Sequence, residues 1–151
     1  MNASGNQADL SEHGYRQLAE FRYRIRQFLH FSEEAARANG IEPQQHQLLL
    51  AIKGLPENIR PTVTAISARL CLRHHSTVEL INRLVDRGAV VRRHSEQDRR
   101  EVFVELTSHG EQLLRKLSVL HWEELQNAAP TLSESLQAIV SSEPADRRRF
   151  A

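Results

Sequence analysis

TVTAISARLCLRHHSTVELINRLVDRGAVVRRHSEQDRREVFVELT, residues Thr62–Thr107, changes its apolar period once, near Gly88, and that change decides the fold. Before it, Thr62 is placed to cap a helix whose apolar side carries Ile66, Ala68 and Leu70, with a break around Arg73-His74-His75. Ser76 and Glu79 stand three apart ahead of an apolar-periodic run. In that capping-box pattern the hydroxyl accepts from a backbone amide and the carboxylate reaches back to the cap amide. The spacing predicts a second helix from near Thr77, with Val78, Ile81, Leu84 and Val85 toward the core and Gly88 as the left-handed stop. Ser76, Glu79, Leu80, Asn82 and Arg83 remain on or near its outer face.

Beyond Gly88, Val90-Val91 opens one β-prone run and Val102, Phe103, Val104 and Leu106 form a second. Between them His94–Arg100 is a polar loop with nothing to bury. A hairpin with Arg92 and Arg93 before its tip and Arg99 and Arg100 inside it suits an arm that reaches phosphates or a narrow minor groove. Asp98 would repel phosphates, so its expected task is to pair with a neighbouring arginine and hold that guanidinium in one direction.

These residues resemble the MarR-type winged helix-turn-helix transcription factors. The resemblance is carried by Ser76-Thr77-Val78, the Arg83–Gly88 run, Val90-Val91-Arg92-Arg93, the Asp98-Arg99-Arg100 wing and the turn from Leu106-Thr107 to Gly110, all in the family's order. It extends over nearly the whole chain. It implies a mainly α fold with a small β-hairpin wing, the winged helix-turn-helix at 43–107, and dimerisation helices at about 10–40 and 108–143 in a single domain, with flexible tails at 1–9 and 144–151. It further implies that the Ser76–Arg83 helix enters the major groove and that Arg100, oriented by Asp98, enters the minor groove.

The expected DNA-binding set is His74, His75, Ser76, Thr77, Glu79, Leu80, Arg83, Arg92, Arg93, Asp98, Arg99 and Arg100. Plainer roles stand beside these. Ser76 and Glu79 serve as caps whether or not they touch DNA. Arg83 is either a solvated arginine or a reader of guanine O6 and N7. Arg92 and Arg93 suit phosphate neutralisation better than base reading.

At 151 residues and 40% hydrophobic content the chain can bury a core of its own. Twenty Lys and Arg against 19 Asp and Glu give a formal net charge of +1, so affinity for nucleic acid has to come from local clustering, which Arg83–Arg100 supplies. No apolar run spans a bilayer and the polar start has no signal-peptide core, so a cytoplasmic protein without membrane contact is expected. One cysteine excludes an intrachain disulfide.

Outside the motif the expectation is helical. Leu18, Phe21, Ile25, Phe28 and Leu29 make an apolar stripe; Pro43–Lys53 carries Leu48, Leu49, Leu50 and Ile52. Ser108 and Glu111 form another capping-box pair before a helix running to Pro130, and Thr131 caps a last helix with Leu132, Leu136, Ile139 and Val140. The apolar helix at the two ends exceeds the needs of one winged domain, which points to a twofold homodimer reading half-sites roughly 10 bp apart in a pseudo-palindrome. The alternative is a monomer whose end helices complete one core.

The functional expectation is a sequence-specific double-stranded-DNA-binding regulator, a homodimeric repressor relieved by a small ligand. The resemblance implies an aromatic or phenolic effector, with Phe21, Arg24, Ile25, Phe28 and His30 as candidate walls. Alternatives are a winged protein-interaction module and a thiol redox sensor through Cys71. Cys71, His74 and His75, with His94 or His46 at a distance, lack a completing Cys/His pair, so no metal or other cofactor is expected. Cys71 reads as a buried hydrophobe, and the remaining histidines form no constellation. No phosphate loop, nucleophile elbow or paired zinc-protease histidines support an enzyme.

Overall fold

The computed structural model describes residues 10–142; the expected tails at 1–9 and 144–151 lie outside those residues, apart from which every element named here is placed. The order is α1 (Glu12–Ala38), α2 (Pro43–Lys53), α3 (Val63–Leu70), α4 (His74–Asp86), β1 (Val90–His94), β2 (Val102–Leu106) and α5 (Ser108–Ser141). The strands pair antiparallel, with Val90 opposite Leu106 and His94 opposite Val102. The mainly helical fold with a hairpin wing is therefore present. Two compact units form, Ser32–His121 and the residues 10–31 with 122–142.

In the Ser32–His121 unit the core is built by Ala36, Ile41, Leu48, Leu49, Ile66, Leu80, Ile81, Leu84, Val90, Val104, Leu114 and Leu117. The helix-turn-helix is α3 and α4. Thr62 Oγ1 accepts from the Ala65 amide at 3.2 Å, as its position ahead of the apolar run requires. Thr62→Ala should lower stability by about 1 kcal/mol in a urea titration, because it orphans that amide. At the other end Cys71 adopts a left-handed conformation (φ 52°), and the amides of Cys71 and Leu72 donate to Ala68 and Ser67 carbonyls.

That tight closure corrects the expected start of the second helix. The α3 stop is complete by Leu72, so α4 begins at His74 with Arg73 as its N-cap, not near Thr77. The break is Cys71-Leu72-Arg73, and His74 and His75 belong to the first turn of α4. Ser76 lies inside the helix and makes no capping box with Glu79. Thr77 is fully buried and its Oγ1 donates to the Arg73 carbonyl at 3.2 Å. Leu80, expected near the outer face, is 5% exposed. Ala68 is exposed, and Ser67 takes the buried place, its hydroxyl donating to the Val63 carbonyl at 2.7 Å.

Gly88 has the positive φ (67°) expected of a helix stop. From there Thr107 Oγ1 donates to the Gly88 carbonyl at 2.5 Å, and the Thr107 amide donates to the Ala89 carbonyl at 3.0 Å. Thr107, not Ser108, caps α5, accepting from the Gly110 amide at 3.1 Å. The connector Gly54–Pro61 is tied to the hairpin where the Val104 amide donates to the Pro61 carbonyl, 2.9 Å, and where Arg60 pairs with Glu101, 2.7 Å.

The break expected at Pro130 is absent: α5 continues through it to Ser141, and Thr131 donates to the Ala128 carbonyl instead of capping a new helix. Packing in the terminal unit offsets the hydrogen bond that proline removes. Gln17 on α1 donates to the Ala138 carbonyl at 3.0 Å, and buried Ser135 donates to the Leu132 carbonyl at 2.8 Å. Phe21, Ile25 and Phe28 are half-buried in this unit, whereas Leu18 and Leu29 are 47% exposed.

Candidate nucleic-acid interface

Helix α4 and the hairpin tip hold most of the sequence-predicted residues in one unit. On α4, His74, His75, Glu79 and Arg83 are exposed and Ser76 is half-buried. Thr77 and Leu80 are not surface groups, so their expected contact with DNA is corrected: their side chains hold α4 on its neighbours. The exposed residues recur about once per turn along one face of α4, and those on the opposite face are core because a helix in a small unit has to bury about half its circumference.

On the hairpin, Arg92, Arg93, Asp98, Arg99 and Arg100 are exposed, but they are not equivalent. An Arg92 guanidinium nitrogen donates to Asn82 Oδ1 on α4 at 2.5 Å, so helix and wing share a donor. Arg93 pairs with Glu105 across the strands at 2.7 Å and is partly neutralised. Among the described residues, the side chains of Arg83, Arg99 and Arg100 have no ion-pair or hydrogen-bond partner. Of the five arginines expected to contact DNA, those three are the unpaired ones.

The expected role of Asp98 is also corrected. Its Oδ1 accepts from the backbone amide of Arg100 at 2.9 Å, and among the described residues it pairs with no guanidinium. A short side chain two residues before an amide makes a local turn more readily than it spans to a flexible arginine. The tip closes on itself further. Ser95 is buried, contrary to the expectation of a loop with nothing to bury, and its Oγ accepts from the amides of Gln97 and Asp98 at 3.2 and 3.3 Å. The Ser95 amide donates to the Glu101 carbonyl at 2.9 Å, and the Glu101 amide donates to the Asp98 carbonyl at 3.0 Å.

Cys71 is exposed, not the buried hydrophobe expected, because the helix stop turns it away from the core. It forms no metal cluster with His74 and His75; among the described residues no group of three or more His, Cys, Asp or Glu could hold an ion. In the terminal unit, Arg24 and Phe28 line a cleft of about 230 Å³ together with Gln27, Glu124, Asn127 and Leu132. Phe21, Ile25 and His30, expected beside them, do not line it, and His30 is exposed.

Sequence reasoning missed one constellation. His46 on α2 and His121 on α5 meet with ring centroids 4.5 Å apart, at 51°. His46 is 1% exposed and neither ring nitrogen has a hydrogen-bond partner. Burial, reinforced by the charge of His121, pushes its pKa from 6.5 to about 4. Burial also lowers His121, against the opposing effect of a hydrogen bond to the Ser32 backbone. Nothing in the local sequence signals a pairing between residues so far apart.

A two-helix turn followed by a two-stranded hairpin is the plan of a winged helix-turn-helix, here with unpartnered Arg83 on α4 and Arg99 and Arg100 in the hairpin. Residues 39–101 match the MarR family model. The fold around this segment is that of the family's regulators. AbsC, a MarR family transcriptional regulator from Streptomyces coelicolor, superposes with a TM-score of 0.71 at 21% identity, covering 85% of this chain and 88% of that one. Sco3205, a MarR family transcriptional regulator from the same organism in complex with DNA, gives 0.68 at 19% identity over 87% and 86% of the two chains. CouR from Rhodococcus jostii RHA1, bound to p-coumaroyl-CoA, gives 0.58 at 19% identity over 78% and 86%. No curated protein matches the chain in sequence. No described helix is long and apolar enough to cross a membrane.

Proposed function

We propose that this chain is a sequence-specific double-stranded-DNA-binding transcriptional regulator that acts in the cytoplasm as a homodimeric repressor and is released from its operator by a small ligand. The observation that carries the reading is the placement of Arg83, Arg99 and Arg100, exposed and without side-chain partners, on an exposed helix and a hairpin tip of one compact unit. In a chain of net charge +1, unpaired cations collected there serve an anion with the dimensions of a duplex. The DNA complex of Sco3205 supports the same use of the fold.

The dimer is supported by apolar surface in the terminal unit that a single chain leaves in water. Trp122 and Val140 are 68% and 69% exposed, and Leu18, Leu29, Leu125 and Leu136 are exposed as well. Large apolar side chains exposed in that number within one unit suit an association site. The Arg24–Phe28 cleft is the place for the effector, whose aromatic character is supported by CouR's p-coumaroyl-CoA. Binding there acts on DNA only if the ligand prefers one spacing of the two recognition helices over another.

Fluorescence anisotropy with the DNA flanking the chain's own gene, against a scrambled duplex of equal length and over a salt series, tests the reading. Specific binding with a steep salt slope is the expected outcome; absence of binding to either duplex at low salt would sink it. In the same titration Arg92→Ala should weaken all sequences alike and reduce the salt slope by about one unit.

A further inference from the structure

We propose that the buried His46–His121 pair is a proton-operated joint between α2 and α5 in the Ser32–His121 unit: proton uptake opens the contact and loosens the helix-turn-helix that α2 supports. His46 is buried in a unit whose core is apolar. Its own helix places Leu48 and Leu49 in the same core, α3 contributes Ile66 and Ser67, α4 Ile81 and Leu84, and β2 Val104, all buried.

The charged groups on these elements are disposed elsewhere. Lys53 of α2 pairs with Glu111 of α5, and Glu33 and Glu34 of α1 pair with Arg37. Arg87, after α4, donates to Gln45 Oε1 and the Gly40 carbonyl, and Glu105 of β2 is taken by Arg93. Glu42, Arg69, Glu79, Arg83, Asp86, Arg115 and Lys116 are exposed. Among the described residues, the titratable group whose charge acts on the His46 ring is His121. Among the described residues no carboxylate is paired with His46, and a protonated ring would face another imidazole 4.5 Å away.

A neutral imidazole with neither nitrogen hydrogen-bonded is an unusual core group, since a hydrocarbon of similar shape would fill the space without an orphaned N–H. What it retains is the ability to bind a proton when the contact opens. The folded unit favours the neutral ring, so its stability is complete above the unfolded value of 6.5 and is lost as pH falls from there toward about 4. At pH 5.5 the opening equilibrium should stand about tenfold above its value at neutral pH, before ordinary carboxylates begin to protonate.

The test is hydrogen exchange on the full chain at pH 7.5 and 5.5, corrected for the intrinsic chemical rate and read by mass spectrometry over α2 and the neighbouring part of α5. The native chain should open about tenfold more at the lower pH, and His46→Phe distinctly less, since only His121 is left there with a lowered pKa. His46→Gln, equally unable to titrate, serves if the phenylalanine variant does not fold. Equal acid sensitivity in native and variant chains, or none in the native chain, overturns the proposal.

The consequence for DNA rests on the function proposed above, and the two separate cleanly. Acid-dependent exchange without DNA binding at any pH leaves the joint intact and removes the regulator. Specific DNA binding with pH-independent exchange does the reverse.

Discussion

Arg100→Ala is expected to weaken binding to the specific duplex by about 1–3 kcal/mol, a loss of roughly 5- to 150-fold, with a smaller loss on the scrambled duplex. The side chain is exposed at the hairpin tip and has no partner among the described residues, so its guanidinium needs no internal ion pair broken before it meets DNA. A second substitution identifies how Asp98 contributes. If its carboxylate acts by accepting from the Arg100 amide, as the 2.9 Å contact indicates, Asp98→Asn keeps the acceptor and should retain binding. If it acts by charge on a guanidinium, Asp98→Asn should lose nearly as much as Asp98→Ala. Anisotropy on the three variants decides between them, and unchanged affinity in Arg100→Ala would remove the wing from the interface.

Gly110→Ala is expected to destabilise the chain by about 3 kcal/mol, seen as a lower urea midpoint and a lower Tm. The sign is informative because helix propensity alone predicts a gain of about 1 kcal/mol when alanine replaces glycine inside a helix. Here an added Cβ would lie 2.0 Å from the Ala89 carbonyl oxygen and 3.0 Å from its carbon. Both are backbone atoms, and the same carbonyl accepts from the Thr107 amide, so neither side has a flexible end to withdraw. Gly14 provides the contrast: an added Cβ there meets only the side chain of Leu10, which can turn away. Gly14→Ala should be neutral or slightly stabilising, and equal losses at both positions would show that the approach at Ala89 has no special weight.

The parts of the fold legible in sequence were those set by local periodicity and local caps. The α2 limits, the Thr62 cap, the Gly88 stop and the two strands follow from residues close together in the chain. Errors appeared where a local signal was outranked. Ser76 and Glu79 have capping-box spacing, but the left-handed stop at Cys71 ends α3 so abruptly that α4 starts two residues before Ser76. Pro130 is a helix breaker by composition, yet it lies within α5, where contacts with α1 hold the following turns.

Within the candidate site, arginine positions were legible and arginine states were not. That Arg92 is held by Asn82, that Arg93 is held by Glu105 and that Arg99 and Arg100 are unheld depends on cross-element distances no spacing rule supplies. The same holds for Thr77 and Leu80, whose burial comes from where α4 meets its neighbours, and for the meeting of His46 with His121.

The backbone of the hairpin tip is closed by hydrogen bonds among Ser95, Gln97, Asp98, Arg100 and Glu101, with His94 Nδ1 lying 3.0 Å from the Arg99 carbonyl, while the Glu101 carboxylate reaches outward to Arg60. Such a loop is a transplantable cassette. Its backbone shape is set largely by its own seven or so residues, so tips exchanged between paired strands of the same register would carry their arginine placement into a new scaffold while the receiving core stayed as it was.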